Sequence, residues 1–235
     1  SVLWQGRMQA NKAVYQHYRS QNKPVIILEI GALYRGHTWK IAVNNITAEG
    51  YYGHLDGVDM DRPKKLGISL ATQLGSKPQI LIALQHAMSQ QVANMGNVTA
   101  WLDHTIAAVR SHSDRPIVIR PHPRSNVALP RLPANCSVQK PRHVPNSYDS
   151  FDMHFDCHAV INYNSGPGIQ AAIAGVRPVV DRSSLAWPVS VNLVNIEQPY
   201  ECDRQLWLAQ LCHTEYTLDE IRQGIWLKRI SAALQ

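Results

Sequence analysis

The chain has 235 residues, 45% of them hydrophobic and 17% charged, and no run approaches the roughly 18 consecutive apolar residues a membrane-spanning helix requires. A chain of this length buries about 70–75% of the surface its unfolded form exposes. The expectation is therefore a self-folding protein of one or two domains, neither membrane-spanning nor wholly disordered. The 23 Lys and Arg outnumber the 17 Asp and Glu, giving a net charge of +6 that would draw a phosphate-bearing small molecule, a nucleic acid or an acidic membrane.

The four cysteines, Cys136, Cys157, Cys202 and Cys212, show no C-x-x-C spacing, which argues against a zinc ribbon or a thioredoxin-like pair and for reduced, half-buried thiols. The opening Ser1-Val2-Leu3-Trp4 lacks the charged start and apolar centre of a secretory signal, so the expected location is cytoplasmic.

Apolar positions at near-helical spacing predict a first helix over residues 10–20. The branched run Val25-Ile26-Ile27-Leu28 predicts a strand of a parallel sheet covered on both faces, and residues 39–43 a second strand. A stretch rich in Asp, Gly, Pro and Lys from 56 to 77 reads as a connection between two lobes, with the boundary at 74. The second lobe then alternates: strand 79–84, helix 99–111, strand 116–120, strand 137–139, helix 147–155, strand 158–162, helix 169–174 and strand 178–181. That order is Rossmann-like. Two helices come next, 204–212 and 218–230, the second with Asp219 and Glu220 at its positive start and Lys228 and Arg229 at its negative end. The expected fold class is α/β, with two Rossmann-like lobes each holding a parallel sheet. Residues 1–74 form the first lobe, 75–212 the second, and 213–235 a C-terminal helix that packs back on the first.

Two motifs carry the chemistry. Arg120-Pro121-His122-Pro123-Arg124 comes directly after a buried strand, where an open α/β sheet presents ligand-binding loops. Its prolines fix their own φ and bias the preceding residues away from helix, so Arg120 and His122 point in set directions that suit phosphate oxygens. The second motif, Asn164-Ser165-Gly166-Pro167-Gly168, ends a strand and opens a helix whose free N–H groups and dipole make an anion site, with the Ser165 hydroxyl as a further donor.

A histidine-proline turn, then a serine turn and a small-residue helix ending in Gly175-Val176-Arg177-Pro178-Val179, resembles the nucleotide-binding half of GT-B glycosyltransferases, in particular bacterial capsule Kdo transferases and some sialyltransferases. The resemblance implies that His122 and Ser165 hold the donor phosphate, and Arg120, Gly166 and Gly168 of the same two motifs are read as contacts to it. Gln170, where that family often carries a glutamate, would meet the donor ribose. Leu28-Glu29-Ile30-Gly31-Ala32-Leu33-Tyr34-Arg35 is similar to the family's acidic-acidic-glycine turn, but the second acidic position, the family's catalytic base, is Ile30 here. Glu29 is the nearest carboxylate, and Asp56, Asp59 or Asp61 are the alternatives. Gln85, with His86 after the first strand of the second lobe, is read as a donor nucleoside contact, and Arg35, His37 and Lys40 as acceptor contacts. Trp187 either stacks on a ligand or fills a lobe interface.

The activity that the resemblance implies is transfer of a sugar from a UDP- or CMP-linked donor to a hydroxyl acceptor in the cleft between lobes. Glu29 takes the acceptor proton, and His122 with the serine turn stabilises the leaving phosphate. The eleven histidines form no H-E-x-x-H pattern, and no metal or cofactor is expected. The segment from Trp39 to Asn44 also resembles short glycosyltransferases of tailed phages, which points to 5-hydroxymethyl pyrimidine in phage DNA as acceptor. Capsule or lipopolysaccharide glycan is the alternative acceptor, and a non-catalytic nucleic-acid-binding protein is the alternative class.

Overall fold

A computed structural model describes residues 1–4, 8–54, 57–72, 75–87, 89, 92, 95–125 and 127–234. In chain order its principal elements are β1 (Val2–Trp4), α1 (Met8–Ser20), β2 (Ile26–Ile30), β3 (Thr38–Val43), α2 (Arg62–Lys65), β4 (Ile80–Ala83), α3 (Val98–Arg110), β5 (Ile117–Arg120), β6 (Cys136–Val138), β7 (Ala159–Ile161), α4 (Gly166–Ile173), β8 (Arg177–Val179), α5 (Gln205–Cys212), β9 (Glu215–Thr217), α6 (Leu218–Arg222) and α7 (Ile225–Ile230). They divide into two compact units, Ser1–Ser69 with Gln205–Gln235, and Leu70–Arg204. These divisions fall at 69/70 and 204/205, whereas the sequence pattern places them at 74 and 212. Within the first unit Arg62 on α2 meets the end of α5, its Nε donating to Cys212 O (2.6 Å).

The first unit holds a four-stranded sheet in the order β1-β2-β3-β9. It is mixed, which corrects the expectation of a parallel sheet in each lobe. β1 runs parallel to β2, whereas β3 is antiparallel to both β2 and β9. The physical reason is loop length, since seven residues (31–37) join β2 to β3 and a parallel crossover needs about a dozen. The sequence does not predict β9, because three residues carry too little alternation to read as a strand. Gly224, at φ +68°, breaks the expected 218–230 helix into α6 and α7. Thr217 and Glu220 cap α6 reciprocally, each side chain accepting the other's backbone N–H. Ile26, Ile41, Val43, Tyr216 and Ile230 form the buried cluster over this sheet.

The second unit is a five-stranded parallel sheet, β6-β5-β4-β7-β8. Alternation along the strands fills two faces. Ile80, Ile82, Ile117 and Ile119 pack with Leu102, Ile106 and Val109 of α3, while Leu81, Ala83 and Val160 pack with Ala171, Val176 and Phe155. The helix expected over 147–155 is absent, and an isolated bridge joins His143 to Phe151 there. Asn146 and Ser150 take left-handed backbone, and Asp152 accepts the Arg142 N–H (2.7 Å). Short polar side chains satisfying backbone groups locally compete with helix formation.

Two histidines make the folded state acid-sensitive. His213 Nε2 accepts the Asp59 N–H (3.0 Å), and burial, with Arg229 and Arg62 nearby, pushes the ring down to about 4. His158 donates from Nε2 to Ile196 O (2.8 Å), Nδ1 accepts from Arg177, and burial again lowers its pKa. Both are protonated in the unfolded chain below about 6.5. The unfolded state then binds more protons than the native one, so stability is fully present above that pH and is lost as pH falls towards about 4 for His213. Melting temperatures recorded from neutral pH down to about 4.5 should therefore fall, and His213→Gln, which keeps a side-chain acceptor but cannot titrate, should flatten that decline.

Candidate functional site

β4, β5 and β7 are neighbours in one parallel sheet, so their carboxyl ends open on the same edge. From β4 the chain winds outward through β5 and β6, then resumes on the other side with β7 and β8. The direction reverses between β4 and β7, the place where open α/β sheets bind ligands. The loops there are Leu84-Gln85-His86, the Arg120–Arg124 corner and the Asn162–Gly168 turn. One strand separates the two motifs, which puts their strand ends roughly 10 Å apart. Contacts run continuously across that gap. The His122 ring meets His86 edge-on (5.2 Å), Asn164 N donates to Gln85 Oε1 (2.8 Å), and Gln85 Nε2 donates to Asn164 Oδ1 (3.0 Å).

His122 is half-buried and its Nδ1 accepts the Arg124 N–H (3.2 Å), so the neutral ring carries its proton on Nε2. The corner's arginines are both tied to the 149–155 loop. Arg120 leaves only 11% of its side chain exposed. Its Nη2 lies 3.8 Å from Asp152, its guanidinium stands over Phe155 (5.4 Å), and its buried Nε has no hydrogen-bond partner among the described residues. Arg124 reaches Asp149 (3.5 Å) and Phe151 (5.9 Å), and Phe151 in turn packs on His122 (6.3 Å). Sequence reasoning does not reach Asp149, Phe151 or Asp152, because the pattern there predicts a helix. The signal that points to them is two aspartates three apart in a stretch rich in Asn and Ser.

At the second motif Asn162 holds the turn. Its Oδ1 accepts from Ser165 N (2.8 Å) and Ser165 Oγ (3.2 Å), and its Nδ2 donates to Ala83 O (2.9 Å). The Ser165 side chain makes no capping bond to the first turn of α4. Gly166 and Gln170 are half-buried on that helix. Gly168 is buried, and a Cβ added there would lie 2.6 Å from Val180 Cγ1. The space it leaves is thus taken by β8's neighbour. Gly168→Ala should lower stability by about 1–3 kcal/mol through overpacking, which urea denaturation checks. Gln85 is buried with its amide spent on Asn164. Trp187 is exposed, with the Arg182 guanidinium 5.6 Å from its ring.

In the first unit, Glu29, Lys40 and Glu215 face one another across three strands, Glu29 opposite Lys40 and Lys40 opposite Glu215. Directly paired residues share a face. Lys40 is buried, and loss of solvent lowers its pKa while Glu215 and Glu29 pull it back up. This setting differs from the solvated basic segment that the sequence suggests. Glu29 is half-buried and accepts the Ile30 N–H (2.7 Å). Arg35 is half-buried and donates to Gly31 O (3.3 Å), and His37 is exposed. Of the alternative carboxylates, Asp59 is paired with Lys65, whose ammonium holds it below the usual range, Asp61 is exposed, and Asp56 lies outside the described residues. Among the described residues no three His, Cys, Asp or Glu side chains group as a metal site, and no helix is long and apolar enough to cross a membrane.

No protein-family model matches the sequence, and no curated protein matches it. Solved structures do. A β-Kdo 2,4 transferase of Thermosulfurimonas dismutans KpsC superposes with a TM-score of 0.58 at 13% identity, covering 96% of this chain and 86% of that one. The fold is GT-B-like. The β-Kdo 2,7 transferase of the same KpsC (TM-score 0.46, 14% identity, 89% of this chain and 75% of that one) and the Streptomyces nogalater glycosyltransferase SnogD (0.28, 16%, 59% and 38%) are also similar. Within the GT-B-like fold, the second unit supplies the Rossmann-type sheet edge on which both motifs stand.

Proposed function

We propose that the protein transfers a sugar from a UDP- or CMP-linked donor to a hydroxyl acceptor. The observation that carries this reading is the placement of His122 and the Ser165 turn on one sheet edge, flanking the switch point, in a fold shared with a Kdo transferase. His122 Nε2–H donates to the departing phosphate, and the N-terminal amides of α4 with Ser165 Oγ share its charge. Arg120 adds a fixed cation behind them. Gln170 meets the donor ribose, and Gln85 acts by holding Asn164. Glu29 takes the acceptor proton as the bond from anomeric carbon to phosphate oxygen breaks and the bond to the acceptor oxygen forms. The nucleotide leaves with the electron pair.

A glycan hydroxyl is the acceptor we favour. The fold neighbour is a Kdo transferase, and the positive excess is spread over both units, with twelve Lys and Arg against eight Asp and Glu in the first and eleven against nine in the second. DNA carrying 5-hydroxymethyl pyrimidines is the other arm of the test. Nucleotide release from UDP- and CMP-sugars should be stimulated by glycan acceptors and be nearly indifferent to salt. Stimulation by hydroxymethylated DNA that falls steeply with salt would place the acceptor there instead. No release with any donor would defeat the reading.

A further inference from the structure

The seven-residue turn between β2 and β3 is braced beyond what a hairpin connection needs, and it presents an aromatic face. Gly31 N donates to Thr38 O (2.9 Å), and Ala32 N and Leu33 N donate to the two oxygens of Glu215 (2.7 and 3.1 Å). Tyr34 O accepts both His37 N and Thr38 N (2.9 Å each), and Thr38 Oγ1 donates to Glu215 (2.7 Å). A Cβ at Gly31 would collide with the Glu215 carboxylate and with Thr38, so the turn and the carboxylate fit only with glycine between them. Placing a fully buried carboxylate is costly unless it is fully hydrogen-bonded, and here the bonds it gathers are those that set this turn. Rigidity of that kind matters most where side chains must be held ready for a ligand.

The tip carries Tyr34, 49% exposed, with its ring 4.1 Å from that of His37 and the planes 30° apart. One face of the phenol ring rests on the imidazole. We propose that the Tyr34–His37 pair is a stacking platform for a pyranose ring of the acceptor; this rests on the first unit being the acceptor side. An aromatic ring already seated on a second ring loses little freedom when a sugar's C–H face settles on it. A nucleobase also stacks, but a nucleic acid needs a line of cations along its backbone. In residues 31–40 the cationic side chains are Arg35 and Lys40, and Lys40 is buried.

The test is saturation-transfer NMR on the full chain. The probes are methyl glycosides of glucose, galactose and Kdo, an oligothymidylate, and UDP or CMP in the same tube. At least one glycoside should receive saturation through its ring C–H protons with the wild type and with Tyr34→Phe. That signal should fall about fivefold, the weight of one aromatic stacking contact, in Tyr34→Ala and in His37→Ala. Unchanged glycoside signals in Tyr34→Ala, no glycoside signal at all, or a Tyr34-dependent signal from the oligothymidylate alone would each overturn the platform. Wild-type protein that shows the glycoside effect and no nucleotide signal would leave the platform standing and count against the proposed donor site, which separates the two failures.

Discussion

Glu215→Ala is expected to destabilise the first unit by about 2–5 kcal/mol, since each buried donor left without its acceptor costs about 1–3 kcal/mol. The carboxylate has no solvent exposure, and it accepts Ala32 N, Leu33 N and Thr38 Oγ1. Its loss leaves two backbone donors without their acceptor and strips Lys40 of one of the two carboxylates that offset its desolvation. Glu215→Gln should cost less, because one amide oxygen still accepts, although the NH2 group then faces a donor. Adding Lys40→Met to Glu215→Ala should recover part of the loss, since the stranded cation is gone. Urea unfolding followed by circular dichroism measures all three, with the first unit's transition resolved if the two units unfold separately. A loss below about 1 kcal/mol for Glu215→Ala would mean that water replaces the carboxylate.

His122→Ala is expected to reduce kcat/KM by about 10²–10³ with little change in melting temperature, the range seen when one preorganised donor to a developing oxyanion is removed. The prolines on either side, and the Arg124 N–H bond to Nδ1, restrict the ring's orientation. His122→Gln, which keeps an N–H donor but not its position, should fall between the two. A loss confined to KM would mean that the ring binds ground state and leaving group equally. Full activity in His122→Ala would remove the residue from the site.

Much of this arrangement is legible in the sequence, and the illegible parts share one cause. The strands of the second unit read directly from runs such as Ile80-Leu81-Ile82 and Ile117-Val118-Ile119, and the two motifs lie just beyond strands that the topology places close together. Local pattern does not carry contacts made across long sequence separations. Glu215 meets the turn at 31–38 from nearly two hundred residues away, through a strand of three residues, and nothing near it announces a buried carboxylate. Lys40 reads as a surface cation until β9 and β2 close over it. Gly168 reads as clearance for a ligand until Val180 fills the space. The Asp149 and Asp152 pairings to Arg124 and Arg120 are hidden in the same way, behind a polar stretch that looks helical.

The claim on which the rest depends is that the His122 corner and the Ser165 turn share one nucleotide site, and a two-dimensional amide NMR titration with UDP and CMP tests it most directly. The backbone N–H groups of Arg124, His86, Gly166 and Gly168 should shift together and saturate at one concentration. Shifts confined to the amino-terminal edge of the same sheet, at Ile80, Ile117 and Arg177, or movement of one corner without the other, would contradict it.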